Sequence, residues 1–395
     1  MTFSTLALIS LIALLGPLLA LPTRWHLPIV LGELLAGIAF GPTGLNKLHS
    51  SNPTFTLLAD IGFALIMFVA GTHVPVRDPN LRSALGVGVL RAAMVGAVAV
   101  VFGVVIAHVF DTGHPAMYAV LMASSSAALV LPIVDSLRLG TKPVLQMLPQ
   151  VAIADSVCIV ALPLAIDPKH ALRAGLGALA VIASATLVFF VLRYFETNGM
   201  RKRLHRVSEA RKFALELRVN LIILFALAAL AVQTHVSIML AGFSFGIAVA
   251  AIGEPRRLAR QLFAVSDGFF GPLFFVWLGA SLNLRDLGHR PSFIVLGLAL
   301  GAGAVLAHAL MRLIGQPVAI GMLAAAQLGV PVAAATVGSQ LHLLEKGEAA
   351  ALILGALVTI VVAAIAGGLA VRAGFVAVAD PAAGADSSGG AKGAS

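Results

Sequence analysis

Apolar residues run through this chain in thirteen long blocks, with neither the strict alternation of half-buried strands nor the striping of surface helices. The blocks cover about residues 4–21, 28–45, 57–74, 85–109, 115–135, 143–166, 171–194, 213–232, 236–253, 264–284, 291–313, 317–341 and 348–373. Most are long enough for a helix, rising 1.5 Å per residue, to cross a hydrocarbon layer about 30 Å thick. An open sheet edge cannot be satisfied in lipid. The pattern therefore predicts an all-α polytopic membrane protein with thirteen transmembrane helices. The first block lacks a basic n-region and a small-residue cleavage site, so it reads as a span and not as a signal peptide.

Composition agrees. Hydrophobic residues make up 59% of the chain and charged ones 11%, with a mean hydropathy of +1.01. Soluble domains carry about a quarter charged residues. The net charge is +9, but the cations cluster in short connections and no basic patch is interleaved with aromatics. That pattern excludes nucleic acid and predicts loops beside anionic membrane lipid. Eighteen lysines and arginines lie on one side of the predicted spans and six on the other. The positive-inside rule then puts the N-terminus outside and the C-terminus in the cytoplasm of a cell inner (plasma) membrane. A lone cysteine, Cys158, rules out an intramolecular disulfide and a multi-cysteine metal site.

Inside the spans one charge stands out. Asp155 sits near the middle of the otherwise uncharged stretch 143–166, where a carboxylate costs roughly 2.5–3.5 kcal/mol to insert. Such a residue is expected to face inward and to bind a cation, a proton, or both.

The longest polar connection, 196–212, is strongly basic and splits the blocks into six, a linker and six. The division predicts a first repeat over residues 1–170 and a linker helix with a basic cytoplasmic loop over 171–212. A second repeat over 213–375 and a disordered cytoplasmic tail over 376–395 follow. An odd linker helix makes the second half enter from the opposite side, as an inverted repeat requires. Segments 5 and 12 hold equivalent places, and both are interrupted, one by Ser124, Ser125, Ser126 and Pro132, the other by Gln327, Gly329 and Pro331. Paired interruptions of this kind point to a transporter's binding site.

Four stretches, LGELLAGIAFGPTGL (31–45), LLADIGFALIMFVAGTHV (57–74), SSSAALVLPIVDSLRLG (124–140) and GPLFFVWLGASLNL (271–284), resemble the monovalent cation:proton antiporter-2 family. The resemblance spans about residues 5–375. It implies two inverted six-helix repeats, two broken helices crossing at the ion site (segments 5 and 12), a dimerisation domain and hence a homodimer, no cofactor, and no enzymatic activity. It puts Asp155 on the family's ion-binding aspartate, Ser125 or Ser126 on a polar position of the first broken helix, and Glu33 on the acid of a Gly-Glu motif.

The departures are informative. Ala154 stands where many members have a first acid or amide. Segment 11 has no lysine, leaving His308 and Arg312 as its cationic side chains, with Arg91 deep in segment 4. Gln327 replaces an arginine of some potassium-coupled members. What remains is a carrier in which Na⁺ or K⁺ and H⁺ compete for Asp155, one for one and without net charge movement. Oxygen ligands would come from Ser125, Ser126, Ser156, Gln150, Thr336, unwound carbonyls and water, with His308, Gln327 and Glu33 modulating. Two other readings stay open: a non-transporting, degenerate antiporter-fold sensor or assembly subunit, and a sodium-coupled organic-anion symporter.

Overall fold

The computed structural model describes residues 1–21, 29–72, 79–166, 171–198, 215–234, 236–253, 261–262, 264–281, 285, 287 and 290–376. Most of the predicted basic loop (199–212) and of the tail (377–395) lies outside these residues. Among the described residues sixteen α-helices fall on the thirteen predicted spans. The first span holds α1 (Phe3–Ala13) and α2 (Leu15–Ala20). Next come α3 (Ile29–Phe40), α4 (Pro53–Thr72) and α5 (Pro79–Phe110). The fifth span is divided into α6 (Pro115–Ala123) and α7 (Ala127–Ser136). Then follow α8 (Lys142–Ile166), α9 (Ala171–Thr197), α10 (Leu215–Gln233) and α11 (Ile238–Ile252). A π turn (Ser266–Phe270) opens α12 (Gly271–Ser281), and a 3₁₀ turn (Leu310–Ile314) closes α13 (Pro291–Ala309). The twelfth span is again divided, into α14 (Val318–Ala324) and α15 (Gly329–Gln340), and α16 (Glu348–Arg372) is the last.

Local chemistry sets several helix ends. Pro53, Pro115 and Pro291 occupy first helical positions, where a missing N–H costs nothing and φ is already helical. Asn52 Oδ1 accepts from the amides of Thr54 and Phe55 at the head of α4, and Ser237 accepts from Met239 N before α11. Gly315, left-handed at φ 81°, ends the eleventh span.

The helices gather into two bundles. α1–α4 pack with α10–α12, and α5–α8 pack with α13–α16, while α9 lies against α8, α10 and α11. Lipid-facing and enclosed spans separate clearly. Of the most apolar stretch of α5 and of α9, 22% is buried, against 83% for the α14–α15 span. The divided twelfth span is therefore the interior of its bundle.

In the first bundle two helix crossings share one geometry. Gly37 of α3 lies on the Val276 carbonyl and the Gly279 Cα of α12, and Gly279 lies on the Leu34 carbonyl. Gly71 of α4 lies on the Phe243 carbonyl and the Gly246 Cα of α11, and Gly246 lies on the Phe68 carbonyl. Each glycine covers the carbonyl three residues before its partner. Helices in lipid gain little from hydrophobic exclusion, so backbone approach of this kind supplies their packing. Aromatic stacking closes the seams, Phe63 on Phe274 and Phe68 on Phe245, both with centroids 4.8 Å apart.

At the head of α16, the second bundle is fastened by a buried carboxylate. Glu348, the first residue of α16, is fully enclosed. Its Oε1 accepts from His114 Nδ1 at 2.8 Å and Tyr118 OH at 2.7 Å, and Oε2 accepts from Glu345 N at 3.0 Å. Arg290 and Glu345 pair beside it. His114, in the connection before α6, is raised above its ordinary 6.5, chiefly by its hydrogen bond to Glu348; partial burial works against this and the Glu348 and Glu345 charges reinforce it. The stabilisation from this pair is complete below pH 6.5 and is lost as pH rises through the raised value. A His114→Gln variant should therefore melt below the parent at pH 6, by roughly 1–2 kcal/mol of stability, and the gap should close at alkaline pH. A gap that is constant with pH would refute the assignment.

Candidate functional site

The two divided spans are interrupted where they touch. Residues 124–126 are unwound between α6 and α7, and residues 325–328 between α14 and α15. The serines and the Ala-Ala-Gln-Leu stretch form the breaks. Pro132 and Pro331 lie beyond them within helix, Pro331 in the first turn of α15, where no N–H is needed. Four half-helix ends thus meet in a buried interior, each with backbone groups that its own helix leaves unbonded and with a partial charge.

Each end finds a partner. At the carbonyl end of α6, Gln327 Nε2 donates to Leu121 O at 2.6 Å and to Ser124 O at 3.3 Å. At the carbonyl end of α14, Ser125 Oγ donates to Ala324 O at 2.7 Å. At the amide end of α7, Ala127 N donates to Asp155 Oδ2 of α8 at 2.9 Å. At the amide end of the α15 break, Gln327 N donates to Thr359 Oγ1 of α16 at 3.1 Å. Each break supplies a donor to the other's carbonyl end, and a flanking helix supplies an acceptor to each amide end. Asp155 is the one ionisable acceptor among these partners. It is 5% exposed, and this is its single hydrogen bond from the described residues.

The predicted residues distribute as follows. Ser125 and Ser126 lie in the break with Ala127, both buried, and the Ser126 carbonyl accepts from Leu129 and Val130 N at the head of α7. His308 is also at the crossing. Its Nδ1–H donates to Ala304 O at 2.9 Å, and its Nε2 stands 3.3 Å from Ser125 Oγ. Gln327 bridges the breaks. Ser156 adjoins Asp155 in sequence, but its hydroxyl donates to Ala152 O of its own helix at 2.7 Å. Gln150 lies five residues before Asp155 on α8, where its Oε1 accepts from Gln316 Nε2 at 2.9 Å. Thr336 is half-buried on α15, seven residues past its start. Glu33 is in the other bundle, with Gly16 packed on its side chain. Of the basic residues, Arg312 is exposed, and Arg91 is buried with no hydrogen-bond or ion-pair partner among the described residues. His308 is the basic side chain that reaches the crossing.

Sequence reasoning missed Thr359 and Glu348. A signal for Thr359 exists: the division into six spans, a linker and six that the sequence suggests gives segments 6 and 13 equivalent places, and each has a polar residue midway along a 25-residue helix, Asp155 and Thr359. Glu348 opens an apolar span and reads as a solvated first-turn acid. Its burial depends on His114 and Tyr118, more than 200 residues away.

A multi-pass membrane protein with a carboxylate buried where two interrupted helices cross is the class that this fold and site define. The chain belongs to the sodium/hydrogen exchanger family: residues 10–373 match the family model described as "Sodium/hydrogen exchanger, transmembrane". The family is one of transporters, not enzymes, and needs no cofactor. YjbQ of Bacillus subtilis (strain 168) is 22% identical over 382 residues, which are 90% of this chain and 61% of that protein. The Na(+)/H(+)-K(+) antiporter GerN of Bacillus cereus is 25% identical over 282 residues, 70% of each chain. The solved structure of the sodium proton antiporter MjNhaP1 from Methanocaldococcus jannaschii has the same fold. It superposes with a TM-score of 0.66 at 16% identity, covering 93% of this chain and 97% of that one.

Proposed function

We propose that this chain exchanges a monovalent cation, Na⁺ or K⁺, for H⁺ by alternating access, with Asp155 binding cation and proton in turn. The observation that carries this reading is that Asp155 is the one carboxylate among the partners of the four half-helix ends. The bare carboxylate is expensive in a dry interior, and neutralisation by a proton or a cation removes that cost. The two loaded forms can then reorient while the empty, charged form is held back, which couples the two fluxes. One carboxylate exchanges one charge for one charge, so the cycle is electroneutral. A hydroxyl that donates to a carbonyl keeps its lone pairs for a cation, which makes Ser125 the best-disposed side-chain ligand beside Asp155. Ser126 and the unwound carbonyls complete a hard-oxygen set. Ser156, Gln150 and Thr336 would join only by leaving their present positions. His308, through Ser125, and Gln327, through the α6 end, modulate the site, whereas Glu33 acts from the neighbouring bundle.

The exchanged contacts at the breaks and the matched glycine crossings support an inverted repeat of spans 1–6 and 8–13. The lysine and arginine asymmetry supports an external N-terminus and a cytoplasmic C-terminus in the plasma membrane, with a homodimer as the family resemblance implies.

The test is reconstitution into proteoliposomes with an imposed proton gradient, following internal pH as Na⁺, K⁺ or Li⁺ is added between about pH 6 and 9. Cation-dependent proton movement that does not change under a clamped membrane potential is expected. No response to any of the three ions would overturn the exchange reading. A response that follows the potential would overturn electroneutrality.

A further inference from the structure

Thr359 occupies, in the second half of the chain, the place that Asp155 occupies in the first. Each lies midway along a 25-residue helix that ends its half. Each accepts the backbone amide of the unwound segment beside it, Asp155 from Ala127 and Thr359 from Gln327. Thr359 is fully enclosed, and its hydroxyl proton goes to Ala356 O at 2.7 Å. A threonine in an apolar helix often bonds back to its own turn for no further reason. Here the same oxygen also accepts from a residue 32 positions away, across the bundle.

Gln327 is the residue so held, and its side chain does the bridging. Its amide nitrogen reaches Leu121 O and Ser124 O, the carbonyl end of α6 whose chain runs on through Ser125 to the Ala127 amide bound by Asp155. Ala325 and Ala326 N still donate to the Met322 and Leu323 carbonyls, but among the described residues no backbone carbonyl accepts from Gln327 N, so no neighbouring turn holds that amide. We infer that Thr359 is a positioning residue for the exchange. Its hydroxyl fixes the second break so that the Gln327 side chain caps α6 and holds Ser125 and Ala127 in register with Asp155. The inference rests on the cation–proton exchange proposed above.

Thr359→Val keeps the shape and removes the acceptor, while Thr359→Ser keeps the acceptor. In proteoliposomes Thr359→Val is expected to raise the cation concentration for half-maximal exchange roughly tenfold, the worth of one neutral hydrogen bond. Its maximal rate should change much less, and Thr359→Ser should restore the parent value. Gln327→Leu removes the bridge but leaves the Thr359 bond to its backbone. It should show a similar rise, and Thr359→Val added to it should do nothing more, because both act through one contact. Gln327→Leu also serves as the reporter if Thr359→Val is not recovered folded. Parent half-saturation in Thr359→Val or in Gln327→Leu, or additive effects in the double variant, would overturn the inference. So would a fall in maximal rate and melting temperature at unchanged half-saturation. A parent protein without cation-dependent proton movement would overturn the exchange reading itself, and the role of Thr359 with it. An active parent alongside an unaffected Thr359→Val overturns the positioning role alone.

Discussion

Replacing Asp155 by asparagine is expected to reduce cation-dependent proton movement in proteoliposomes to the protein-free background, with the folded yield intact. The substitution is nearly isosteric, and its side-chain oxygen can still accept from Ala127 N, now at 2.9 Å from Oδ2. What disappears is the one ionisable acceptor where the four half-helix ends meet. No second carboxylate stands at the crossing among the described residues: Ser125 and Thr359 are hydroxyls, Gln327 is an amide, and His308 is an imidazole, which can take a proton but offers no oxygen to a hard cation. Because a buried carboxylate carries a desolvation penalty that an amide largely escapes, the melting temperature should stay level or rise. Loss of transport without loss of stability is the signature of a site residue. Exchange that persists in Asp155→Asn would end the single-carboxylate mechanism.

The second large effect concerns folding. Gly246→Val should remove most of the monodisperse protein recovered in detergent. A Cβ at Gly246 would strike the Phe68 carbonyl and the backbone of Gly71, and one at Gly279 would strike the Leu34 carbonyl and Gly37. These are backbone atoms of neighbouring helices, so no rotamer change relieves the clash and the helices must separate. Overpacking a close-fitted contact costs about 3 kcal/mol, and the loss of the paired Phe68–Phe245 stack would add to it. Gly279→Val should behave alike. Gly96, on α5, has no atom within 4 Å of a Cβ position, so Gly96→Val is the control and should be recovered at the parent level. Equal recovery of the three variants would show that the glycine crossings do not carry this bundle.

The thirteen spans were legible because lipid demands long apolar helices and nothing else in the chain imitates them. The breaks were legible because serines, a glutamine and a glycine interrupt two such blocks at equivalent places. Asp155 was legible because a mid-span charge is costly enough to need a reason. Residues adjacent to it in sequence were a poorer guide. Successive residues on a helix point about 100° apart, and Ser156 turns its hydroxyl to Ala152 rather than towards Ala127. Gln150 found Gln316, in the connection before α14. Prolines marked the right segments but not the unwound residues: Pro331 sits in the first turn of α15, where no N–H is needed, and Pro132 is the sixth residue of α7. Thr359 was hidden because one hydroxyl in an apolar span costs little and so draws no attention. Its meaning depends on a bond to a distant backbone amide, and no local pattern encodes that bond.

Glu348 and Thr359 are eleven residues apart on α16, about 16 Å along the axis and close to three whole turns. They therefore face the same way, one gripping the head of α6 through His114 and Tyr118, the other the break before α15. α16 is in this sense a tie rod of set length between the head of α6 and the crossing. The two are consequently locked in step: neither can shift along α16 without dragging the other.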